Sequence, residues 1–276
     1  MAGLLAALTW GAADFGGGLT SRRAPALAVV LASQLVGGLV AATVAITRGE
    51  ALLAPAGVAW AACAGAVGAV ALAAFYQGLA TGRMGVVAPI AGVLAAAVPV
   101  VVGLVLEGLP AAGPLVGMVA AVLAILLVSW TSGRAEEAGP QRRSVVLATL
   151  AGLGFGLFYV LLDQVEGEAV FWPLVVARTA SVSLVGAIVL AARVPLRSLG
   201  GALPALVVVG VLDLAGNAFF RLGAQAGRLD VASVLSSLYP ITTVALAALV
   251  LRERVAPLQA AGIGIAGLAI VLIAGG

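Results

Sequence analysis

Three ionisable side chains stand well inside long apolar runs of this chain, Asp14, Arg178 and Asp213, and Arg221 follows Asp213 on the same segment. A charge at the centre of a bilayer costs at least ~2.5–3.5 kcal/mol on insertion scales, so such residues normally pair or face a cavity. Asp213, Asn217 and Arg221 fall at i, i+4 and i+8, one polar stripe down an otherwise apolar helix. That stripe suits a cavity wall in which Asp213 titrates or binds a cation and Arg221 receives a carboxylate or phosphate. It suits equally a structural network that fixes helix packing. Asp14 follows Gly11 by three residues. A lone carboxyl there is a candidate proton site, unless the first helix stops at Gly16-Gly17-Gly18 and leaves it at the interface. Arg178, within Ala177-Arg178-Thr179-Ala180-Ser181, is either a receptor for an anionic group or a counter-ion to Asp14 or Asp213.

Uncharged residues add to this set. Trp10, Tyr76, Phe155, Phe158, Tyr159 and Tyr239 are candidates to line a pocket, although single aromatics in membrane helices more commonly pack or anchor at the interface. Ser233, Ser236 and Ser237 cluster before Tyr239. They can hydrogen-bond a ligand or, as is commoner, their own helix carbonyls. Glu107 and Glu253 fall at predicted helix ends and read as turn caps, while Asp163, Glu166 and Glu168 read as a solvated loop.

The elements that carry these residues must live in lipid. Of 276 residues, 63% are hydrophobic and 9% charged, against roughly 25% charged in a soluble domain. With no His and no Lys, a Ser-His-Asp triad, a His metal site and a Lys-containing phosphate loop are excluded. Cys63 stands alone, so neither a disulfide nor a Cys-based metal site is expected. No cofactor or metal is implied, and the small, scattered net charge of +3 does not suggest nucleic acid. The opening MAGLLAALTWGAADF is apolar with no basic leader, which predicts a retained first helix. Abundant Ala, Gly, Arg and Pro without Lys suggest a GC-rich bacterial genome.

A spanning helix needs about 20 apolar residues. Ten segments qualify: 3–20, 25–47, 55–78, 84–106, 112–131, 144–162, 170–192, 201–222, 230–251 and 257–275. The polar stretch 132–143 divides the chain into halves, 1–131 and 144–276, of five helices each. A shift of 145 places Trp10-Gly11 on Phe155-Gly156, Phe75 on Phe220, Gly78 on Gly223, Gly82 on Gly227, Arg83 on Arg228 and Val86 on Val231; a shift one residue longer places Glu107 on Glu253. Five is odd, so the second half enters the bilayer the other way round. The predicted fold is all-α and integral to the membrane, with ten transmembrane helices as two inverted five-helix repeats. In that architecture secondary transporters hold a substrate near the midplane. Pro89, Pro99 and Pro240 are expected to bend their helices, and Gly65, Gly68, Gly113 and Gly117 to allow close helix approach. Odd-numbered loops carry ten Arg and even-numbered loops only Arg48 and Arg228, which assigns the odd loops to the cytoplasm and neither terminus with them.

Tyr239-Pro240 through Arg252-Glu253-Arg254, then Pro257-Leu258-Gln259 and Gly262, resembles a signature of the drug/metabolite transporter superfamily, EamA branch. Trp10-Gly11 and Arg178 look like further family positions. Arg252 stands where the family has Gly, and Leu94 where the first repeat would carry Pro. The resemblance covers essentially the whole chain. It implies a secondary transporter of the bacterial cytoplasmic (inner) membrane, exporting an amino acid or related small polar metabolite by alternating access. Its site would lie between the halves, with candidates Trp10, Asp14, Tyr76, Phe158, Tyr159, Arg178, Asp213, Asn217, Arg221, Ser236 and Tyr239. Protons are a candidate coupling ion, through Asp14 or Asp213; small multidrug members of the superfamily use a first-helix carboxylate in this way. Other partners are the lipid bilayer and, if the protein is not a monomer, a second copy. A lipid flippase and a non-transporting membrane subunit are the rival readings. The usual topology of the family has both termini in the cytoplasm, opposite to the Arg distribution.

Overall fold

The computed structural model describes all residues except 83, 107, 110, 130–137, 228, 252–256 and 275–276. The predicted caps Glu107 and Glu253, the Arg252-Glu253-Arg254 turn and most of the linker therefore lie outside the described residues. The described residues form helices and no strands. In chain order the α-helices are α1 (Ala2–Ser21), α2 (Ala26–Thr47), α3 (Pro55–Thr81), α4 (Met84–Leu106), α5 (Ala112–Ser129), α6 (Ala138–Asp163), α7 (Phe171–Ala191), α8 (Leu203–Gln225), α9 (Leu229–Ser236), α10 (Tyr239–Val250) and α11 (Pro257–Ala274). A short 3-10 helix, Leu196–Ala202, leads into α8.

Runs of Ala and Leu favour helix, and an apolar solvent enforces it, because every buried N–H and C=O must find a partner within its own segment. Two predicted elements come out differently. The sixth helix begins at Ala138, inside the stretch assigned to the linker. The ninth is broken: Ser237 N closes α9 on Ser233 O at 2.9 Å, and α10 restarts with Ile241 N on Leu238 O at 3.0 Å. Pro240, which has no N–H to continue the ladder, falls in the first turn of the restarted helix, where a proline is tolerated. By contrast, α4 runs uninterrupted across both Pro89 and Pro99. Helix α1 likewise runs through Gly16-Gly17-Gly18 to Ser21, so Asp14 is interior to its helix rather than at its end.

Seven stretches among the described residues are long and apolar enough to cross a membrane: α2, α3, α4, α6 from Arg142, α7, Leu196–Gln225 and Leu229–Val250. Leu39, Val105, Leu190 and Leu249 each expose at least 70% of their surface, which water would penalise and lipid does not. This is a multi-pass α-helical membrane protein.

Small residues set how closely the helices approach. A Cβ on Gly65 of α3 would overlap the Ala177 carbonyl of α7, and one on Gly210 of α8 would come within 2.5 Å of the Ser33 carbonyl oxygen of α2. Gly11 of α1 abuts Tyr239 O and Thr242 Cβ of α10; Gly156 of α6 abuts Ala95 O and Val98 Cβ of α4. Contacts Gly3–Leu235 and Gly11–Thr242 make α1 parallel to α9–α10, whereas Gly152–Ala91 and Gly156–Val98 make α6 parallel to α4. Because Gly92–Pro240 and Gly103–Asp230 set α4 antiparallel to α9–α10, α1 and α6 traverse the bundle in opposite directions.

Candidate functional site

Polar side chains from three helices, α2, α7 and α8, meet at one point. Arg178 of α7 places Nη2 2.8 Å from Asp213 Oδ2 of α8, within ion-pair distance though not aligned as a hydrogen bond. Its Nη1 donates to Gln34 Oε1 of α2, and Gln34 Nε2 donates to the same Asp213 Oδ2 at 3.2 Å. Asn217, one turn along α8, donates Nδ2 to the Asp213 carbonyl at 2.7 Å and reaches Oδ1 at 3.4 Å. Room for the arginine comes from Gly37 and Gly38. A Cβ at Gly37 would stand 3.4 Å from Arg178 Nε, and one at Gly38 3.2 Å from Arg178 Cβ. The four polar side chains are all buried and linked to one another, although Arg178 Nη2 is held by charge alone and makes no aligned hydrogen bond. Of the two counter-ions open to Arg178 from sequence, the structure selects Asp213.

Asp14 faces the same space without such a partner. It is 7% exposed, and among the described residues no hydrogen bond or ion pair holds its carboxyl. It lies within electrostatic reach of Asp213 and of the Tyr76, Tyr159 and Tyr239 phenols.

Around these groups stands a wall of rings. Trp10 stacks on Tyr159 with centroids 5.5 Å apart and planes 17° apart, and Tyr159 lies 4.5 Å from Phe220. Phe158 meets Tyr159 edge-on at 5.9 Å. On the far side Phe75 contacts Phe155 at 5.5 Å and Tyr239 at 6.1 Å, both edge-on. Gly216 leaves space for the indole, since a Cβ there would sit 2.5 Å from Trp10 Cδ1. The cavity that they line has a volume of about 60 Å³, several times the ~10–15 Å³ that one water needs.

Eight of the eleven candidates line this cavity: Trp10, Asp14, Phe158, Tyr159, Arg178, Asp213, Asn217 and Tyr239. Three do not. Tyr76 is wholly buried with its ring against Gly17. Ser236 is also wholly buried, and neither it nor Ser233 bonds a helix carbonyl or any other described group. Arg221 is turned away altogether: it donates to Leu162 O (3.1 Å) at the end of α6 and to Val165 O (2.8 Å), Gly167 O (3.3 Å) and Ala169 O (2.8 Å) in the α6–α7 loop. A guanidinium so engaged has little left for a carboxylate or phosphate.

Two residues escaped the sequence reading. Gln34 is the hinge of the polar cluster, and its signal was a lone amide within an apolar helix. Glu50 caps α7 from a distant loop, accepting Phe171 N at 2.8 Å and Trp172 N at 3.3 Å. It looked like an ordinary loop charge.

Residues 142–275, which hold nearly all of α6 and every later helix, match the EamA-like transporter family. That part of the chain belongs to the family. A solved structure described only as "Crystal structure of protein" superposes on 98% of this EamA-like chain and 94% of its own, with a TM-score of 0.74 and 16% identity. At that identity it establishes a shared fold and nothing about activity. No curated protein matches the chain. Membership makes the EamA-like protein a member of a transporter family, and the cavity is where its geometry would hold a solute.

Proposed function

We propose that this EamA-like protein is a secondary transporter of the bacterial cytoplasmic membrane that exports a small polar metabolite by alternating access. One observation carries the reading: a cavity walled by residues of both halves of the chain holds a buried ionisable carboxyl that no side chain among the described residues neutralises. A scaffold gains nothing from a lone intramembrane Asp14, whereas a solute site gains a point of attachment.

Three matched contacts support two inverted five-helix repeats as the frame for this motion. Trp10 faces Phe220 at 5.9 Å, and Phe155 faces Phe75 at 5.5 Å; the sequence shift of 145 exchanges one ring pair for the other. The Gly65–Ala177 and Gly210–Ser33 approaches exchange in the same way to within one residue, as do those of Gly11 and Gly156. Opposite directions of α1 and α6 are what inversion requires. Such a frame has two near-equivalent packings, one opening to each side. Asp213 is committed to Arg178, which leaves Asp14 as the better of the two proton-coupling candidates.

Comparative metabolite profiling of the medium around cells expressing wild type or Asp14→Asn, at matched membrane levels, tests this. Compounds enriched by wild type alone are expected. Identical profiles from both contradict export through this site.

A further inference from the structure

The cavity's charges do not cancel. Its ionisable lining residues of fixed partnership, Arg178 and Asp213, form an internal ion pair that Gln34 bridges and Asn217 supports from one turn along α8. Asp14 is left over, so with its carboxyl ionised the cavity carries one net negative charge. The surfaces beside it are aromatic faces and edges from Trp10, Phe158, Tyr159 and Tyr239. Aromatic faces attract cations through the ring quadrupole and offer nothing to an anion. Tyr239 adds a buried hydroxyl with no hydrogen-bond partner among the described residues.

We infer that the cavity selects an organic monocation, an amine or quaternary ammonium carrying a compact apolar or aromatic body. This rests on the transport reading above and specifies its substrate class. The cationic head pairs with Asp14, the body lies against the Trp10–Tyr159 stack, and an acceptor on the ligand meets the Tyr239 hydroxyl. A zwitterion or anion would need a free cation for its carboxylate. Arg178 is already engaged by Asp213 and Gln34, and Arg221 is bound to loop carbonyls outside the cavity.

Equilibrium dialysis of radiolabelled benzyltrimethylammonium against purified protein in nanodiscs, with empty nanodiscs as blank, reads this directly. Competitors are the aromatic zwitterion phenylalanine, the anion phenylacetate and the neutral benzyl alcohol. Saturable binding is expected, with each competitor at least tenfold weaker than unlabelled cation. Asp14→Asn should lose binding at least tenfold, and Asp14→Glu, which restores the charge, should recover it. Absence of saturable binding, equal displacement by phenylalanine or benzyl alcohol, or unchanged binding by Asp14→Asn in nanodiscs would each overturn the inference. Counterflow of phenylalanine in vesicles without cation binding would overturn the charge class and keep the transport reading. Cation binding without counterflow of the cation would do the reverse.

Discussion

Two buried arginines, Arg178 and Arg221, are held in opposite ways. Arg178 meets a carboxylate and an amide that line the cavity, and its charge is cancelled on the spot by Asp213. Arg221 donates its hydrogen bonds to backbone: its guanidinium gathers four carbonyls from the end of α6 and the loop after it, with Asp163 and Glu50 in electrostatic reach. There it complements the negative end of the α6 dipole, while Glu50 complements the positive end of α7 a few residues on. The comparison separates a cluster that can rearrange, because its partners are side chains on three different helices, from a clamp that fixes one loop. Residue type alone does not make an intramembrane arginine a ligand. What it donates to does.

Substitutions can break this contrast. The largest loss is expected for Arg178→Met, which strands a buried Asp213; removing one member of a buried pair costs about 3–5 kcal/mol. Adding Asp213→Leu should recover most of that loss in detergent melting curves, and failure to recover would show that the pair is not self-contained. Arg221→Met comes next, at about 2–4 kcal/mol, because several buried carbonyls lose their donor at ~1–3 kcal/mol each while Gln225 still reaches Gly167 O. Its melting temperature should fall with ligand affinity unchanged, and a selective loss of affinity would assign Arg221 to the site after all. Smallest is Glu50→Gln, at about 0.3–1 kcal/mol, since the amide oxygen still accepts the α7 N–H groups and what is lost is the charge–dipole part and a weak pair with the exposed Arg48.

Much of the fold is legible in the sequence because the apolar runs and their breaks are long, and lipid leaves the backbone few choices. The proposed register of 145 rests on residues such as Trp10, Gly11 and Phe75, which make contacts that the shift would exchange. The break between α9 and α10 was not, because Pro89, Pro99 and Pro240 carry the same local signal and only tertiary packing decides which one interrupts a helix. In the site, Asp14, Arg178 and Asp213 stood out as charges in apolar helices, whereas Gln34 is uncharged and drew no notice. Arg221 was misread for a geometric reason. A stripe at i+8 advances about 12 Å along a helix, so its last member reaches the loop end of α8 rather than the cavity that Asp213 lines.

The most direct test is counterflow in proteoliposomes, with the compound that wild-type cells enrich in their medium, comparing wild type with Asp14→Asn at equal melting temperature. Saturable flux in wild type, reduced at least about tenfold by the loss of one charged contact, is the predicted result. Equal flux through both proteins, or none through either, would contradict a transport site built on Asp14.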